Sequence, residues 1–430
     1  MSARNHSPAP FVPTLLASSA APCPARRKTA AIASERRTII TYFWSLSSAG
    51  FAATAISYGP ARMGFGLFVP EFRSAFEIST STVGFISSLG FFGFFLGLLV
   101  AQTLLRRLGP ELPVLSGLIA AVLGMATVAA APNLTFLALG VFLATSSAGF
   151  AWTPFNDAVH RSVEDENRPA SLSAVSSGTG IGIAGAGVAA LATVFTGLSW
   201  RVCWSIFAIA AALVLIGNWA ALRSIGKDTE GTWSRGWSDL LPVAAIPLYA
   251  VAFAYGTNSA IYIAFAGDQM AEAGGVPGLP AAATPPLVFI FYGLFGLAAL
   301  GTGRVKAMVG LPMLLRLIML AGTASCVLVV ILPASWVGLI LSAGLQGLHV
   351  MMTSAILAFW SDRLFPTLPS LSFTAALLAT ATGSVIGPAL AGLASDAFGA
   401  EAMFLGTAAL PALTAAALLN RFVRERAVDG

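Results

Sequence analysis

The chain has 430 residues, of which 57% are hydrophobic and only 10% charged, with a net charge of +5. An ordinary soluble domain carries about 25% charged residues, and the 41 charged side chains present here cannot coat a soluble body of this length. This composition, with a mean hydropathy of +0.83, excludes a soluble enzyme, a disordered chain and a nucleic-acid-binding domain despite the pI of 9.4.

In chain order, residues 1–37 come first. They are rich in Ala, Ser and Pro, with six basic residues and one acid, Glu35. The expectation is a disordered basic tail outside the folded body, or a misassigned start; a transit peptide is the other reading. Beyond the tail the chain is divided by its charges. A helix crossing the hydrocarbon core needs about 20 mostly apolar residues. Stretches without Asp, Glu, Lys or Arg cover 38–61, 78–105, 112–156, 169–200 and 202–222, then 240–267, 273–303, 317–361, 364–395 and 402–420. The stretches 112–156 and 317–361 are 45 residues each, too long for one crossing. Each holds a turn signal, Ala131-Pro132-Asn133 in one and Pro333-Ala334-Ser335 in the other. Twelve crossings result. They group as an N-terminal six-helix bundle over 38–222, a polar cytoplasmic linker over 223–239, a C-terminal bundle over 240–422 and a tail over 423–430.

The two groups repeat one another. Both long stretches end at an aspartate, Asp157 and Asp362, 205 positions apart. The same offset aligns Ser177–Ala189 with Thr382–Ala394, where seven of thirteen residues are identical without a gap, among them Gly178/Gly383, Gly182/Gly387 and Gly187/Gly392. A duplicated unit with an even number of crossings inserts both copies in the same orientation. With the N-terminus cytoplasmic, 19 of the 23 Lys and Arg fall on the inner side. The positive-inside rule therefore places both termini in the cytoplasm, at the cell (inner) membrane. The three cysteines, Cys23, Cys203 and Cys326, have no metal-binding spacing, so neither a metal site nor a disulfide framework is expected.

Local residues add a resemblance. Leu198-Ser199-Trp200-Arg201-Val202-Cys203-Trp204-Ser205-Ile206-Phe207, after the Gly-rich fifth helix, resembles the helix five–six junction of major facilitator superfamily transporters. The stretch Gly387-Pro388-Ala389-Leu390-Ala391-Gly392-Leu393-Ala394-Ser395-Asp396-Ala397-Phe398-Gly399 is similar to helix eleven of that family. The chain departs from the family at the turn between helices two and three. Where the family has Gly-x-Leu-Ala-Asp-Arg-x-Gly-Arg-Arg, this chain has Gln102-Thr103-Leu104-Leu105-Arg106-Arg107-Leu108-Gly109-Pro110-Glu111. Arg106 stands at the acid position, so no gating role for that acid carries over. The resemblance implies an all-α membrane protein, twelve helices in two pseudo-symmetric six-helix bundles, that moves a small molecule by alternating access.

Candidate mechanistic residues follow. Arg62 lies in or at the outer end of the first crossing, and an arginine at the bilayer centre costs about 2.5–3.5 kcal/mol or more, so it should face a cavity or a partner. It is expected either to contact an anionic or polar substrate or to pair with Asp268 as an outer gate. His349, mid-way along helix ten, has an unperturbed pKa of about 6.5 suited to proton exchange, and Asp157 is the second candidate for proton coupling. Asp157 with Arg106 or Arg107, and Asp362 with Arg304 or Lys306, are expected as inner-gate latches. Asn156, Tyr255, Asn258, Tyr262 and Gln346 join Arg62 as expected substrate-binding residues, while Gly178, Gly182, Gly187, Gly383, Gly387 and Gly392 are expected at tight helix contacts. No phosphate-binding loop and no HExxH or GxSxG site occurs, so neither direct ATP drive nor an intramembrane enzyme is expected. The expected protein is a monomeric secondary transporter without cofactors or catalytic residues, with a small organic solute, protons and lipid as partners. Export is favoured by resemblance. The alternatives are uptake of a small organic anion and a non-transporting receptor or scaffold of the same fold.

Overall fold

In the computed structural model the chain divides into a short N-terminal unit, Met1–Trp44, and a compact unit, Ser45–Gly430. The structure describes residues 45–223, 240, 243–419 and 422–423, all in the second unit. The expected tail 1–37, almost all of the linker 223–239 and most of 423–430 lie outside the described residues.

The first crossing is a broken helix. It comprises α1 (45–58), α2 (Pro60–Leu67) and α3 (Val69–Phe76), interrupted at Gly59 and Phe68. Pro60 and Pro70, which lack an N–H to give the preceding turn, begin the second and third pieces. The charge-free stretch ended at Ala61, but the helical run continues past it, so Arg62 lies inside the crossing rather than at its end. Then follow α4 (Thr80–Leu108), α5 (Glu111–Ala130), α6 (Leu134–Ser146), α7 (Trp152–Ser162), α8 (Arg168–Thr196) and α9 (Trp200–Leu222). The second half comprises α10 (Ile246–Glu272), α11 (Thr284–Gly296), α12 (Thr302–Val309), α13 (Leu311–Ile331), α14 (Trp336–Leu364), α15 (Pro369–Phe398) and α16 (Ala400–Ala417). Among the described residues eleven helical runs are long and apolar enough to cross a membrane, with α6–α7 and α11–α12 each counting as one. The run 45–76 makes the twelfth.

Helix starts follow the local chemistry. Ser79, Asn133, Ser199 and Ser335 precede α4, α6, α9 and α14, and each side chain accepts a hydrogen bond from a first-turn N–H. Helix ends are closed by basic side chains. Arg168 donates to the carbonyls of His160 and Val163 at the end of α7, and Arg316 donates twice to the Leu418 carbonyl just past α16. Large apolar side chains such as Phe195, Ile209, Leu213 and Leu413 stay exposed on the outer faces, where lipid covers them.

The two bundles have matching interiors. In the first, α5 packs on α6 and α9; in the second, α13 packs on α14 and α16. The bundles meet along α4 against α15 and α8 against α11. Hydrogen bonds across the α4–α15 seam include Ser81 N–H to Asp396 Oδ2 at 3.1 Å, Ala389 N–H to Ser88 Oγ at 2.9 Å, and Thr374 Oγ1 to Gln102 Oε1 at 3.2 Å.

The repeated glycines occupy equivalent contacts. A Cβ at Gly178 or Gly182 would strike the carbonyls of Phe51 or Ala55 on α1, and one at Gly383 or Gly387 would meet Phe253 or Thr257 on α10. Gly187 and Gly392 face the opposite bundle instead, against Pro286 of α11 and Thr80 of α4. Backbones thus touch without intervening side chains, the usual device where no hydrophobic effect drives helices together in lipid.

Candidate functional site

Between the bundles lies a cavity of about 530 Å³. Its deep end is formed by Tyr58, Arg62, Met63 and Tyr255, and its walls by Ser173, Ser176 and Thr179 of α8 with Val350, Met351 and Ser354 of α14. Pro169, Lys306 and Phe359 line it toward the end of the molecule where α4 finishes at Arg106 and Arg107.

The helix breaks explain how a roomy cavity fits within the bilayer. Three crossings are interrupted: the first at Gly59, the fourth by a 3-10 turn at Ser147–Phe150, the eighth by another at Leu297–Gly301. Residues beside each break line the cavity: Tyr58 and Arg62, Trp152, and Ala299, Leu300 and Thr302. Non-helical backbone at membrane depth is tolerated only where it is enclosed by protein or lines a cavity.

Arg62 is the strongest charge in the site. It is 7% exposed, and its guanidinium sits over three rings, Phe94 at 4.6 Å, Tyr58 at 5.4 Å and Phe91 at 5.5 Å from their centroids. Each such contact is worth roughly 0.5–2 kcal/mol, the same order as the cost of placing the cation there. Among the described residues Arg62 forms no ion pair to a carboxylate, and its Nε has no hydrogen-bond partner. Lys306 is the second cation on the cavity wall, its Nζ 3.5 Å from the centroid of Phe359. Among the described residues no Asp or Glu lines the cavity. The site is positive, walled mostly by apolar groups, and open to one end.

The other end is sealed. Arg73 Nε lies 2.8 Å from Asp268 Oδ2, with Glu272 at 3.8 Å from Arg73 Nη1 and Thr80 Oγ1 accepting from Nη2 at 2.9 Å. Phe65, Phe68, Phe72, Trp200 and Trp204 stack beneath it, with neighbouring ring centroids 5.0–6.4 Å apart. Gly66 presses on the Ile263 carbonyl so closely that a Cβ would not fit.

The structure distributes the sequence candidates unevenly. Arg62 and Tyr255 face the cavity together. Asp268 meets Arg73 rather than Arg62. Asn258, Gln346 and Tyr262 lie inside the C-terminal bundle: Gln346 Nε2 donates to Asn258 Oδ1 at 3.1 Å, Asn258 Nδ2 to Cys326 Sγ at 3.2 Å, and the Tyr262 hydroxyl meets Ser342 Oγ at 2.9 Å. His349 is fully buried one layer behind the cavity, its ring edge-on to Tyr255 at 5.9 Å and its Nδ1 2.7 Å from the Ile318 carbonyl. Asn156 is half-buried on α7 and is not among the cavity-lining residues. Asp157 pairs with Arg161 one turn along its own helix at 2.5 Å, while Arg106, Arg107, Arg304 and Asp362 are exposed at helix ends. Tyr58, Phe91 and Phe94, the ring cradle of Arg62, and Arg73 were not singled out by sequence. Tyr58 stands four residues before Arg62 and was readable from helical spacing; the two phenylalanines come from another helix and left no local signal.

Twelve crossings in two like bundles around a central cavity define a membrane transporter of the major facilitator type. A family profile described as "Uncharacterised MFS-type transporter YbfB" matches residues 53–420, and the chain belongs to this family. Among characterised relatives, Monocarboxylate transporter 13 of Rattus norvegicus is 30% identical over 200 residues, covering 45% of each chain. The same-named protein of Bos taurus is 34% identical over 110 residues, covering 26% of this chain and 25% of that one. The alignments thus span less than half the length of these relatives. Among solved structures, a mutant of the nucleoside transporter NupG superposes with a TM-score of 0.68 at 11% identity, over 88% of this chain and 98% of the other. A bacterial homolog of the human lysosomal transporter Spinster, in an inward-facing, unoccupied conformation, also gives 0.68 at 14% identity, over 87% and 96%. At these identities the likeness is one of fold.

Proposed function

We propose that the protein is a secondary carrier for a small organic monocarboxylate, moved together with a proton by alternating access. The observation that carries this reading is Arg62, a cation 7% exposed at the closed end of the cavity with three aromatic faces and, among the described residues, no carboxylate partner. A guanidinium offers a planar fork of N–H donors that matches a carboxylate, and the apolar walls suit a short hydrocarbon or aromatic body. The monocarboxylate transporters among the relatives support the same class. An unneutralised Arg62 resists full enclosure, because desolvating a lone cation is costly; a bound carboxylate neutralises it and lets the bundles close around the load. His349, behind Tyr255, is the group this reading assigns to the accompanying proton. The basic end faces the cytoplasm by the charge rule, so the cavity is open inward, and flux follows the combined anion and proton gradients.

The test is uptake of radiolabelled pyruvate and benzoate into proteoliposomes, with and without a pH gradient. Wild type should show saturable, gradient-stimulated uptake. Arg62→Lys keeps the charge but loses the fork and should raise KM about tenfold or more; Arg62→Ala should abolish saturable uptake. Carriage of uncharged nucleosides only, or an unchanged KM in Arg62→Ala, would overturn the reading.

A further inference from the structure

Arg62 borders two chambers. Besides the large cavity it lines a second, small space of about 10 Å³, together with Phe65, Gly66, Ser87, Phe91, Val141, Thr145 and Ile263. That volume sits at the lower edge of what a single water needs. Two polar atoms at this space have no partner among the described residues: Arg62 Nε and Ser87 Oγ, both buried. A third, Thr145 Oγ1, has only a long 3.4 Å contact to the Ala61 carbonyl.

Ser87, like Ser147, Thr153, Ser325 and Thr353, does not follow the common habit of hydroxyls in these helices. Thr54, Thr127, Thr380 and Thr382 each donate back to the carbonyl four residues earlier, at 2.7–3.1 Å, which is the default for Ser and Thr in a crossing. The Ser87 hydroxyl does not, although its burial makes an unmet hydrogen bond expensive. Helix α4 therefore holds a buried, uncommitted hydroxyl beside the Arg62 Nε–H, which also lacks an acceptor among the described residues.

We propose that Ser87, with Thr145, is a positioning residue for Arg62: one ordered water in the rear chamber accepts from Arg62 Nε–H and is held by the Ser87 and Thr145 hydroxyls. The water fixes the plane of the guanidinium, so that its remaining N–H groups present to the front cavity in one orientation. A water bridge of this kind is enthalpically close to a direct hydrogen bond, and the bond to a charged donor is stronger than average. Without it Arg62 keeps its charge and its ring cradle but loses its angular anchor, so carboxylate binding weakens while closure of the loaded carrier is unaffected. This role rests on the carboxylate reading of the front cavity.

The experiment has two arms. In proteoliposomes, Ser87→Ala should raise the KM for pyruvate about 3- to 10-fold with the maximal rate within about twofold of wild type, and Thr145→Val should do the same to a lesser degree. Ser87→Ala removes one atom from a helix face and adds none, and Thr145→Val keeps the side-chain shape; a wild-type elution position on size-exclusion chromatography checks that each variant folds. A KM unchanged in both, or a fall in maximal rate with KM constant, overturns the proposal. The second arm is independent of transport. In protein carrying 15N-labelled arginine, the Nε–H resonance of Arg62, assigned by its loss in Arg62→Lys, should shift and exchange faster with solvent in Ser87→Ala. If wild type carries no monocarboxylate but this resonance responds, the functional reading fails and the anchor stands; if the resonance does not respond, the anchor fails.

Discussion

His349 shows what a single buried side chain permits. Its Nδ1 is 2.7 Å from the Ile318 carbonyl, its ring packs against Gly322 and Tyr255, and its Nε2 is buried without a partner. A purely structural histidine would be replaced by glutamine with little loss, because the amide can donate to the same carbonyl. A proton carrier would not, because the amide does not titrate near neutrality. His349→Gln is therefore expected to retain exchange of pyruvate across the membrane at equal pH while losing accumulation driven by a pH gradient, measured in the same vesicles. His349→Ala should in addition unfold at lower temperature, since it empties space beside Gly322; core truncations of this size cost about 2–5 kcal/mol. Accumulation that persists in His349→Gln would leave His349 with the structural task alone.

At the scale of elements, the glycines of α8 separate what spacing reveals from what it hides. The pattern over 177–189 and its copy over 382–394 announced close helix contacts, and the positions repeated in both halves, Gly178, Gly182 and Gly187, do touch other backbones. Gly185 looks the same on paper. Yet nothing lies within 4 Å of a Cβ built there, and the residue is exposed on the lipid side. Gly182→Val is expected to destabilise by about 1–3 kcal/mol or more, because the added atoms meet the Ala55 backbone, which cannot give way as a side chain would. Gly185→Val should stay within about 0.5 kcal/mol of wild type. Thermal unfolding in detergent, followed by the aggregation point of each variant on size-exclusion chromatography, compares the two. The same contrast explains the legibility of the fold. Charge-free stretches and their repeat are one-dimensional facts, and they carried the number of crossings and the doubling. The bends did not repeat: crossings one, four and eight are broken, while their counterparts seven, ten and two run straight through α10, α14 and α4. Sequence symmetry therefore mispaired Asp268 with Arg62, 206 positions away; the breaks at Gly59 and Phe68 shift the first crossing so that Arg73 meets the acid. Asn258 and Gln346 read as cavity residues for a related reason, since a buried polar side chain looks alike whether it faces a solute or another helix.

For the molecule as a whole, the question is what holds one end shut while the other stands open. The seal consists of the Arg73–Asp268 pair above the Phe72–Trp204 ring cluster, joining α3 to α10 across the two bundles. At the opposite end, Asp157 spends its charge on Arg161 within its own helix, so that pair does not bridge the bundles. A carrier must leave this state as readily as it enters it, so the seal has to be worth a few kcal/mol and no more. A pair with Asp268 5% and Arg73 23% exposed fits that range: buried enough to matter, wet enough to break. Asp268→Asn leaves Arg73 with only the distant Glu272 carboxylate, and should shift the population toward the state open at the Arg73 end. Spin labels at Ala75 and Ala273, exposed on either side of the seal, would then report a longer mean separation by pulsed electron resonance. The exchanged pair Arg73→Asp with Asp268→Arg should return the shorter separation and at least half of the transport lost in either single variant, a coupling readable as a double-mutant cycle. Equal distance distributions in wild type and Asp268→Asn would mean that the aromatic layer alone closes this end, and that the ion pair only decorates a seal made by Phe65, Phe68, Phe72 and Trp204.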